Sequence, residues 1–365
     1  MPRPHAIRRT ALGGMVAALA GCGLLVGLGT AAAPADTPDL APLLPTGLSN
    51  VNDRWVDTRQ IPGRTLYRFD TVILNVGGGA FEVYRDAAGT TYQRIWNGGD
   101  PGGIGSPKSF PGGAPGAEDR ALGSGGAGQP NALRYSSAYG HDHFHSQRIA
   151  SYTLLTPAGA PVAEAAKNYA GFCLYDSWGP PASGTPARYP AGTGANGACA
   201  SGQPGYTGLL RMGIQADWGD FYGSQLYDQW VDVTGVTPGT YRLRATVDPD
   251  GLYQESNEAN NTVEAASVTI PGVVASPASV ATPTGSPVAV PLSASVVGAS
   301  VKTRRSDCTD AQTTLASCMV TAGASAVTLA VAQPPAGRGA VTLKGTTATY
   351  TPPPGFSGSA TFTYT

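Results

Sequence analysis

Three histidines stand at alternate positions in the stretch GHDHFHSQR, and the only other histidine of the chain is His5. Side chains at positions i, i+2 and i+4 of an extended strand project from one face. His141, His143 and His145 could therefore bind one metal ion together. Imidazole binds copper, zinc, iron and nickel, and three such ligands leave coordination positions open for water or substrate. The spacing alone does not distinguish a copper site from a catalytic zinc site.

The composition predicts that strands must position these histidines. The chain has 50 Gly and 31 Pro among 365 residues, with 13% charged and 41% hydrophobic residues. Such values favour an all-β fold of many short strands joined by turns. The segment RTLYRFDTVILNVGGGAFEVYRD alternates like β structure, and a hairpin is predicted with residues 86–90 in its loop. One short helix is predicted within PVAEAAKNYA, residues 161–170.

The length predicts two domains after an N-terminal segment. Residues 36–270 form the first predicted domain, and residues 271–290 are a linker rich in Pro, Thr and Ser. Residues 291–365 end in YTPPPGFSGSATFTYT, which resembles the last hairpin of bacterial cadherin-like and immunoglobulin-like surface repeats. This resemblance implies a small β-sandwich that associates with the cell surface. The repeat is expected either to be truncated or to belong to a longer chain of which this sequence is a fragment.

The N-terminus has the features of an export signal. A basic start, MPRPHAIRR, precedes an apolar run that ends in small residues, which predicts cleavage of residues 1–35 near Ala35. The sequence LAGC offers an alternative, in which Cys22 becomes the lipidated first residue of an anchored lipoprotein. The pair Arg8-Arg9 is similar to a twin-arginine signal. A secreted or cell-surface protein is therefore expected.

The cysteine pattern agrees with export, and the charge bears on the choice of partner. Cys173 and Cys199 fall in the first predicted domain, and Cys308 and Cys318 fall in the second, so one local disulfide is predicted in each. The net charge of −1 gives no reason to propose a nucleic-acid partner. Residues 36–270 carry 15 basic and 22 acidic side chains, a balance of −7 that would weakly attract cationic ligands.

Four blocks, in order along residues 36–270, resemble the lysyl oxidase family. They are RYSSAYGHDHFHS (134–146), PVAEAAKNYAGFCLYD (161–176), DFYGSQLYDQWVDVTGVTPGTYRL (220–243) and VDPDGLYQESNEANN (247–261). The first is similar to the copper-binding segment of that family. The resemblance implies a secreted bacterial member with a lysyl-oxidase-like β-sandwich catalytic domain.

The resemblance also implies a cofactor and a reaction. His141, His143 and His145 would bind copper, and Lys167 and Tyr222 would cross-link into lysyl tyrosylquinone. Asp220 matches the position of the proposed general base, and such a base typically contributes ~10²–10⁴-fold to the rate. The implied activity is oxidative deamination of primary amines by O₂, with release of aldehyde, ammonia and H₂O₂. The substrate would be lysine in proteins or peptides, or a small amine.

A second metal site is suggested by the acidic and amide side chains of ESNEANN. Carboxylate and amide oxygens are hard ligands that suit calcium. The resemblance joins this turn to the N-terminal PDL segment and implies a calcium site built from Asp39, the Leu40 carbonyl, Glu255, Asn257, Asn260 and Asn261. The alternative is a polar turn held by side-chain hydrogen bonds to the backbone.

Two other functions remain open from the residues alone. The surface-repeat resemblance at the C-terminus favours a non-catalytic secreted module for metal binding or adhesion. A three-histidine zinc hydrolase has no supporting motif in this sequence. Retention of both cofactor residues, Lys167 and Tyr222, favours the amine oxidase.

Overall fold

The computed structural model describes residues 37–44, 54–86, 88–95, 119–123, 133–137, 141–179, 187, 189, 198–200, 210–304, 319–321 and 328–365. The predicted export segment, Cys22, and the predicted Cys308–Cys318 disulfide lie outside these residues. Within them, no helix is long and apolar enough to cross a membrane.

The regular elements of the described chain are almost all strands, so the prediction of an all-β fold is confirmed. In chain order these strands are β1 (Leu40–Leu43), β2 (Arg54–Asp57), β3 (Leu66–Phe69), β4 (Thr71–Asn75), β5 (Phe81–Arg85), β6 (Thr91–Gln93), β7 (Arg120–Gly123), β8 (Leu133–Ser136), β9 (His143–Ser146), β10 (Ala150–Leu155), β11 (Pro161–Glu164), β12 (Leu210–Ile214), β13 (Gly219–Tyr222), β14 (Trp230–Asp232), β15 (Gly239–Val247), β16 (Thr262–Ile270), β17 (Gly272–Ser276), β18 (Val288–Pro291), β19 (Ser293–Val297), β20 (Lys302–Arg304), β21 (Met319–Thr321), β22 (Ala340–Lys344) and β23 (Thr347–Thr351). One helical turn, α1 (Lys167–Ala170), and two 3₁₀ turns, Ala198–Ala200 and Glu258–Asn260, complete the described elements.

Short sheets surround the main core. Their strand orders are β1-β4-β13, β11-β10-β15-β16, β12-β5-β6-β7 and β14-β3-β2-β20-β21, and the hairpin β8-β9 carries the histidines. Strand β10 illustrates how these sheets pack on the core. Its residues Ala150, Tyr152 and Leu154 are buried, while the residues between them are partly exposed. This alternation turns one face of the strand inward. The predicted hairpin is confirmed, since β5 pairs with β6 and the Asp86 N–H donates to the Thr90 carbonyl.

The short helix predicted within residues 161–170 is confirmed as a single turn. Residues 161–164 form β11, which pairs with β10, and only Lys167–Ala170 is helical. The β-branched residue Val162 and the pairing with a neighbouring strand favour the extended form over the first half. The remaining turn places Lys167 at its start, buried in the core.

A strand from the C-terminal part joins a sheet of the N-terminal part. β20 runs parallel to β2, with Trp55 opposite Lys302 and Val56 opposite Thr303. The guanidinium of Arg304 then reaches the buried carboxylate of Asp57, with 3.1 Å between nitrogen and oxygen. A parallel pairing needs a long connection between its strands, which the intervening chain provides.

The last part of the chain has a small core of its own. Val290, Leu292, Val341, Ala348 and Tyr350 are buried together, beneath the sheet β18-β23-β22. Residues 271–290, predicted as a linker, include β17, which pairs with β19. The domain boundaries named above stay a prediction.

The predicted disulfide between Cys173 and Cys199 is confirmed, with a Cα–Cα distance of 5.8 Å. It closes a loop of 26 residues in sequence. Such a cross-link stabilises a fold chiefly by restricting the unfolded chain. Here it anchors the segment that contacts Tyr222, as described below.

Candidate active site

The three histidines lie on and beside strand β9. His143 and His145 occupy alternate positions of the strand, while Phe144 between them points to the opposite face and packs edge-on against Tyr135. His141 precedes the strand, and its ring centre lies 4.7 Å from that of His145 and 5.6 Å from that of His143. The rings of His143 and His145 are 4.6 Å apart. The sequence-predicted cluster is therefore formed.

Backbone contacts orient His145 for a metal ion. Its Nδ1 lies 2.6 Å from the Ala170 carbonyl oxygen, so Nδ1 carries the hydrogen and donates it. The lone pair is then on Nε2, which lies 2.8 Å from Nε2 of His143. A hydrogen bond from the far ring nitrogen to a carbonyl is the usual support of a metal-binding histidine.

The spacing of these nitrogens fits a transition-metal ion. Two nitrogen ligands about 2.0 Å from one ion, at a right angle, lie about 2.8 Å apart. Burial lowers the pKa of His143, and it lowers the pKa of His145 well below its usual value. Burial together with the charge of Lys167 lowers the pKa of His141 to about 4. Neutral imidazole is the form that binds metals.

His141 has polar neighbours at its Nδ1 atom. The hydroxyl of Ser136 and the carboxylate of Asp228 each lie 3.4 Å from this nitrogen. A proton held at Nδ1 leaves Nε2 of His141 as the metal-binding atom. Asp228 was not predicted as a site residue, and its only sequence signal is its position directly before Gln229-Trp230.

Lys167 and Tyr222 meet in the core beside the histidines. The Lys167 side chain is 1% exposed, and its Nζ lies 4.1 Å from the centre of the Tyr222 ring and 4.8 Å from that of Phe172. Burial lowers the pKa of Lys167 to about 8, although the charges of Asp228 and Asp220 act in the opposite direction. An amine with this pKa is appreciably neutral near pH 7–8, which is the nucleophilic form.

Helix α1 connects Lys167 to the histidine strand. The helix ends at Ala170, whose carbonyl accepts from His145, and Phe172 then pairs with Ser146 through two backbone hydrogen bonds of 2.7 and 2.9 Å. Gly171 lies between them with φ +74°, and a Cβ there would lie 2.5 Å from the Ser146 carbonyl oxygen. The close approach of the two segments therefore requires glycine.

The Tyr222 ring is fixed at its hydroxyl. This hydroxyl donates to the Cys173 carbonyl at 2.9 Å and accepts from the Cys173 N–H at 2.7 Å. The Phe172 ring meets it edge-on, with centres 4.8 Å apart. Burial raises the pKa of Tyr222 well above its ordinary value, so the ring is a neutral phenol. Both hydrogen bonds reach the residue that the disulfide anchors.

Asp220 lies two positions before Tyr222 on β13, on the same side of the strand. The side chain is fully buried, and its Oδ1 accepts from the Ser177 hydroxyl at 3.0 Å. Within the described residues, Oδ2 has no hydrogen-bond partner. Burial raises the pKa of this carboxyl well above its usual value. A carboxyl with an unpaired oxygen and a raised pKa is suited to accept a proton.

The predicted calcium residues gather at a second place, where the N-terminal segment meets the turn after β15. Asp39 accepts from the Asn260 amide at 3.0 Å, Glu255 accepts from Asn261 at 3.2 Å, and the Leu40 N–H also donates to Glu255. The Leu40 contact with Glu255 is made by its N–H group, and the role expected of the Leu40 carbonyl stays a prediction.

Two acidic residues were missed at this place. Carboxylate oxygens of Asp248, Glu255 and Glu258 all lie within 4.8 Å of one another. Burial and the neighbouring charges raise the pKa of Glu255 to about 8. Glu258 stands inside the ESNEANN turn, and Asp248 inside VDPDG, so an excess of acidic residues was the available signal.

The amides of this turn divide into two kinds. The oxygens of Asn260 and Asn261 are buried and lack a hydrogen-bond partner within the described residues, as expected of atoms that face a cation. The oxygen of Asn257 accepts from the Ala259 N–H at 3.1 Å and caps the 3₁₀ turn. The structure therefore gives Asn257 a capping contact, and its expected role as a metal ligand stays a prediction.

Comparison with known proteins identifies the region that carries this site. Residues 128–271 match the family model described as Lysyl oxidase. "Lysyl oxidase homolog 4" of Mus musculus is 35% identical over 138 residues, which is 37% of this chain and 16% of that protein. "Lysyl oxidase homolog 3" of Homo sapiens is 32% identical over 139 residues, 37% of this chain and 16% of that protein.

"Protein-lysine 6-oxidase" of Homo sapiens is 32% identical over 136 residues, which is 37% of this chain and 28% of that protein. The chain thus spans only between a sixth and somewhat over a quarter of the length of these relatives. The matched region contains the three histidines, Lys167, Tyr222 and Asp220. Over residues 128–271, the chain contains a lysyl oxidase family domain.

Proposed function

We propose that this chain is a copper- and quinone-dependent amine oxidase. The observation that carries the proposal is the 4.1 Å contact between the Lys167 amine and the Tyr222 ring, in a buried centre that also holds three histidines. The substrate class is a primary amine, either the side chain of a lysine in a protein or peptide, or a small amine. O₂ is the second substrate.

His141, His143 and His145 would hold the copper ion, because their ring centres lie within 5.6 Å of one another and burial lowers the pKa of each imidazole. Bound copper would promote oxidation of the Tyr222 ring by O₂. The quinone made from Tyr222 and Lys167 would catalyse the reaction R–CH₂–NH₂ + O₂ + H₂O → R–CHO + NH₃ + H₂O₂.

The protein residues contribute position and proton transfer. The two hydrogen bonds to Cys173 fix the Tyr222 oxygen, and packing against Phe172 restricts rotation of the ring. The low pKa of Lys167 makes its amine available as a nucleophile. Asp220 Oδ2 would accept the proton from the carbon next to the substrate nitrogen, because this oxygen is unpaired and its carboxyl has a raised pKa.

We further propose calcium at the second site, with ligands from Asp39, Asp248, Glu255, Glu258, Asn260 and Asn261. The unpaired amide oxygens support this proposal. Oxygen-only ligand sets of this kind suit a hard cation. Such an ion would join the segment before β1 to the turn after β15. Export to an oxidising compartment, with association at the cell surface through residues 291–365, completes the proposed function.

The decisive experiment is mass spectrometry of the copper-loaded protein. A peptide that contains both Lys167 and Tyr222, joined by a bond that survives denaturation and reduction, is the expected result. The Tyr222→Phe variant is the matched control and should give only separate peptides. If the copper-loaded wild-type chain also gives only separate peptides, the amine-oxidase proposal fails, and a non-catalytic metal-binding module takes its place.

A further inference from the structure

The buried carboxyl of Asp220 is hydrogen-bonded to a residue at the surface. Its Oδ1 accepts from the Ser177 hydroxyl at 3.0 Å, and the Ser177 oxygen in turn accepts from the Phe221 N–H at 2.6 Å. Ser177 is exposed, whereas Asp220 is fully buried. Two consecutive hydrogen bonds therefore lead from the backbone of β13, through the serine hydroxyl, to one oxygen of the carboxyl.

The direction of these hydrogen bonds follows from what each group can donate. The Phe221 N–H can only donate, so it uses a lone pair of the Ser177 oxygen. An ionised carboxylate can only accept, so the single hydrogen of the serine hydroxyl is the one directed at Asp220 Oδ1. Oδ1 is thereby occupied, while Oδ2 has no hydrogen-bond partner within the described part of the chain. A proton that Asp220 takes up is therefore directed to Oδ2.

Backbone hydrogen bonds hold Ser177 in this place. Its N–H and that of Trp178 donate to the Gly219 carbonyl at 3.1 and 2.9 Å, and the Gly219 N–H donates back to the Trp178 carbonyl at 2.6 Å. Four residues before Ser177 along the same segment, Cys173 makes both hydrogen bonds to the Tyr222 oxygen. One short segment thus fixes both the phenol and the carboxyl that lie on the same side of β13.

We propose that Ser177 is a positioning residue for the general base: its hydroxyl occupies Oδ1 of Asp220 and leaves Oδ2 to take the proton from the carbon next to the substrate nitrogen. In that step the C–H bond breaks, the proton forms a bond to Oδ2, and the electron pair of the C–H bond reduces the cofactor. The hydrogen bond from Ser177 favours the carboxylate, which is the form that can accept. This inference rests on the proposed function and adds a residue to it.

Several groups act on the Asp220 carboxyl besides Ser177. Burial raises the pKa of Asp220 most strongly, the Ser177 hydrogen bond and the charge of Lys167 lower it, and the charge of Asp176 raises it. Other titratable groups around this carboxyl are tyrosines, whose pKa values are raised by burial and also by the charge of Asp220: Tyr152, Tyr175 and Tyr222. Phenols with a pKa above their ordinary ~10 stay neutral while a carboxyl titrates. Loss of the Ser177 hydroxyl should therefore appear as a higher pKa of Asp220.

The test compares two variants of nearly the same shape. Ser177→Thr keeps the hydroxyl, whereas Ser177→Val replaces it with a methyl group, and a β-branched side chain suits this exposed position beside a strand. The first measurement is the pH dependence of kcat for H₂O₂ release from n-pentylamine by the copper-loaded enzymes. Ser177→Val should move the acid limb of this profile upward by about one pH unit, which corresponds to about 1.4 kcal/mol. Ser177→Thr should keep the wild-type limb.

The second measurement needs neither copper nor the cofactor. NMR titration of isotope-labelled aspartate carboxyls in the metal-free full chain, with the Asp220 signal identified from Asp220→Asn, should show the same upward shift in Ser177→Val and no shift in Ser177→Thr. An Asp220 titration that is equal in wild type and Ser177→Val overturns the inference, and so does an equal shift in both variants, because the hydroxyl is then not the cause.

Two further outcomes separate this inference from the proposed function. A shifted Asp220 titration with an unshifted kcat profile overturns the inference alone, because turnover then does not depend on the carboxyl that Ser177 holds. A copper-loaded wild-type chain that neither releases H₂O₂ from amines nor reacts with phenylhydrazine overturns the proposed function, and this inference with it.

Discussion

The amine of Lys167 lies 4.1 Å from the centre of the Tyr222 ring, although 55 positions separate the two residues in the chain. Lys167 comes from helical turn α1, which follows β11, and Tyr222 ends β13 in a different sheet. The Phe172 ring packs against both the Lys167 amine and the Tyr222 ring. A lysine buried in this way has little reason to exist for stability alone, because burial of a charged amine is costly.

The first prediction concerns the cofactor. Lys167→Ala and Tyr222→Phe should each abolish visible absorbance, reaction with phenylhydrazine and release of H₂O₂ from primary amines. Copper should stay bound in both variants, since neither residue is a proposed metal ligand. Lys108→Ala is the matched control, because Lys108 is the other lysine of residues 36–270, and it should keep all three signals. Wild-type turnover by Tyr222→Phe would disprove the quinone assignment.

The second prediction concerns copper. His143→Ala leaves two imidazoles and removes the nitrogen that lies 2.8 Å from His145 Nε2, so tight copper binding should be lost. Elemental analysis after dialysis against a weak chelator measures this loss, and the cofactor should also fail to form. Asp142→Asn alters the exposed neighbour of two histidines and should retain stoichiometric copper. Stoichiometric copper in His143→Ala would show that the ligands are wrong.

The third prediction concerns calcium and pH. The pKa of Glu255 is raised from about 4.5 to about 8 in the folded protein, so its protonated form is the stabilising one. Without calcium, this contribution is complete below about pH 4.5 and is lost as the pH rises through about 8. Calcium replaces the proton, so the increase in Tm on adding calcium should be larger at pH 8 than at pH 5. A hundredfold excess over Kd corresponds to about 2.7 kcal/mol.

Two variants test this site further. Glu255→Gln should abolish the increase in Tm on adding calcium, and it should make the calcium-free protein more stable at pH 8 than wild type is. Asn257→Ala removes only a cap and should cost roughly 1 kcal/mol while the calcium response remains. Equal melting curves of the wild type in calcium and in chelator at pH 8 would show that the turn binds no calcium.

The fourth prediction concerns the contact between strands β2 and β20. Asp57 is fully buried between the guanidinium groups of Arg68 and Arg304. Asp57→Asn leaves both cations without their anion and should cost about 3–5 kcal/mol in the free energy of unfolding, measured in urea. Arg304→Met should cost less, because Asp57 keeps Arg68 as a partner.

An exposed ion pair provides the control for this comparison. Arg148→Met breaks the pair with Asp250, in which the arginine side chain is 47% exposed, and should cost less than about 1 kcal/mol. If Arg304→Met unfolds at the wild-type urea concentration, strand β20 does not pack on β2 in solution, and the two predicted domains are independent there.

The sequence by itself was enough to predict the features that depend on near neighbours. Alternation along an extended strand places His143 and His145 on one face, whatever the rest of the chain does. The all-β fold, the hairpin around residues 86–90 and the disulfide between Cys173 and Cys199 were predicted on similarly local or compositional grounds. Lys167, Tyr222 and Asp220 were chosen by resemblance, and their roles remain predictions.

Only the tertiary structure decided which distant residues meet. The contact of Asp228 with His141, the clustering of Asp248 with Glu255 and Glu258, and the parallel pairing of β2 with β20 all join separate segments. A strand pattern shows which face is buried, but many strands share the same alternation, so it does not specify the partner. The partner is set by packing of the whole core, and burial then sets the charge state of groups such as Lys167 and Asp220.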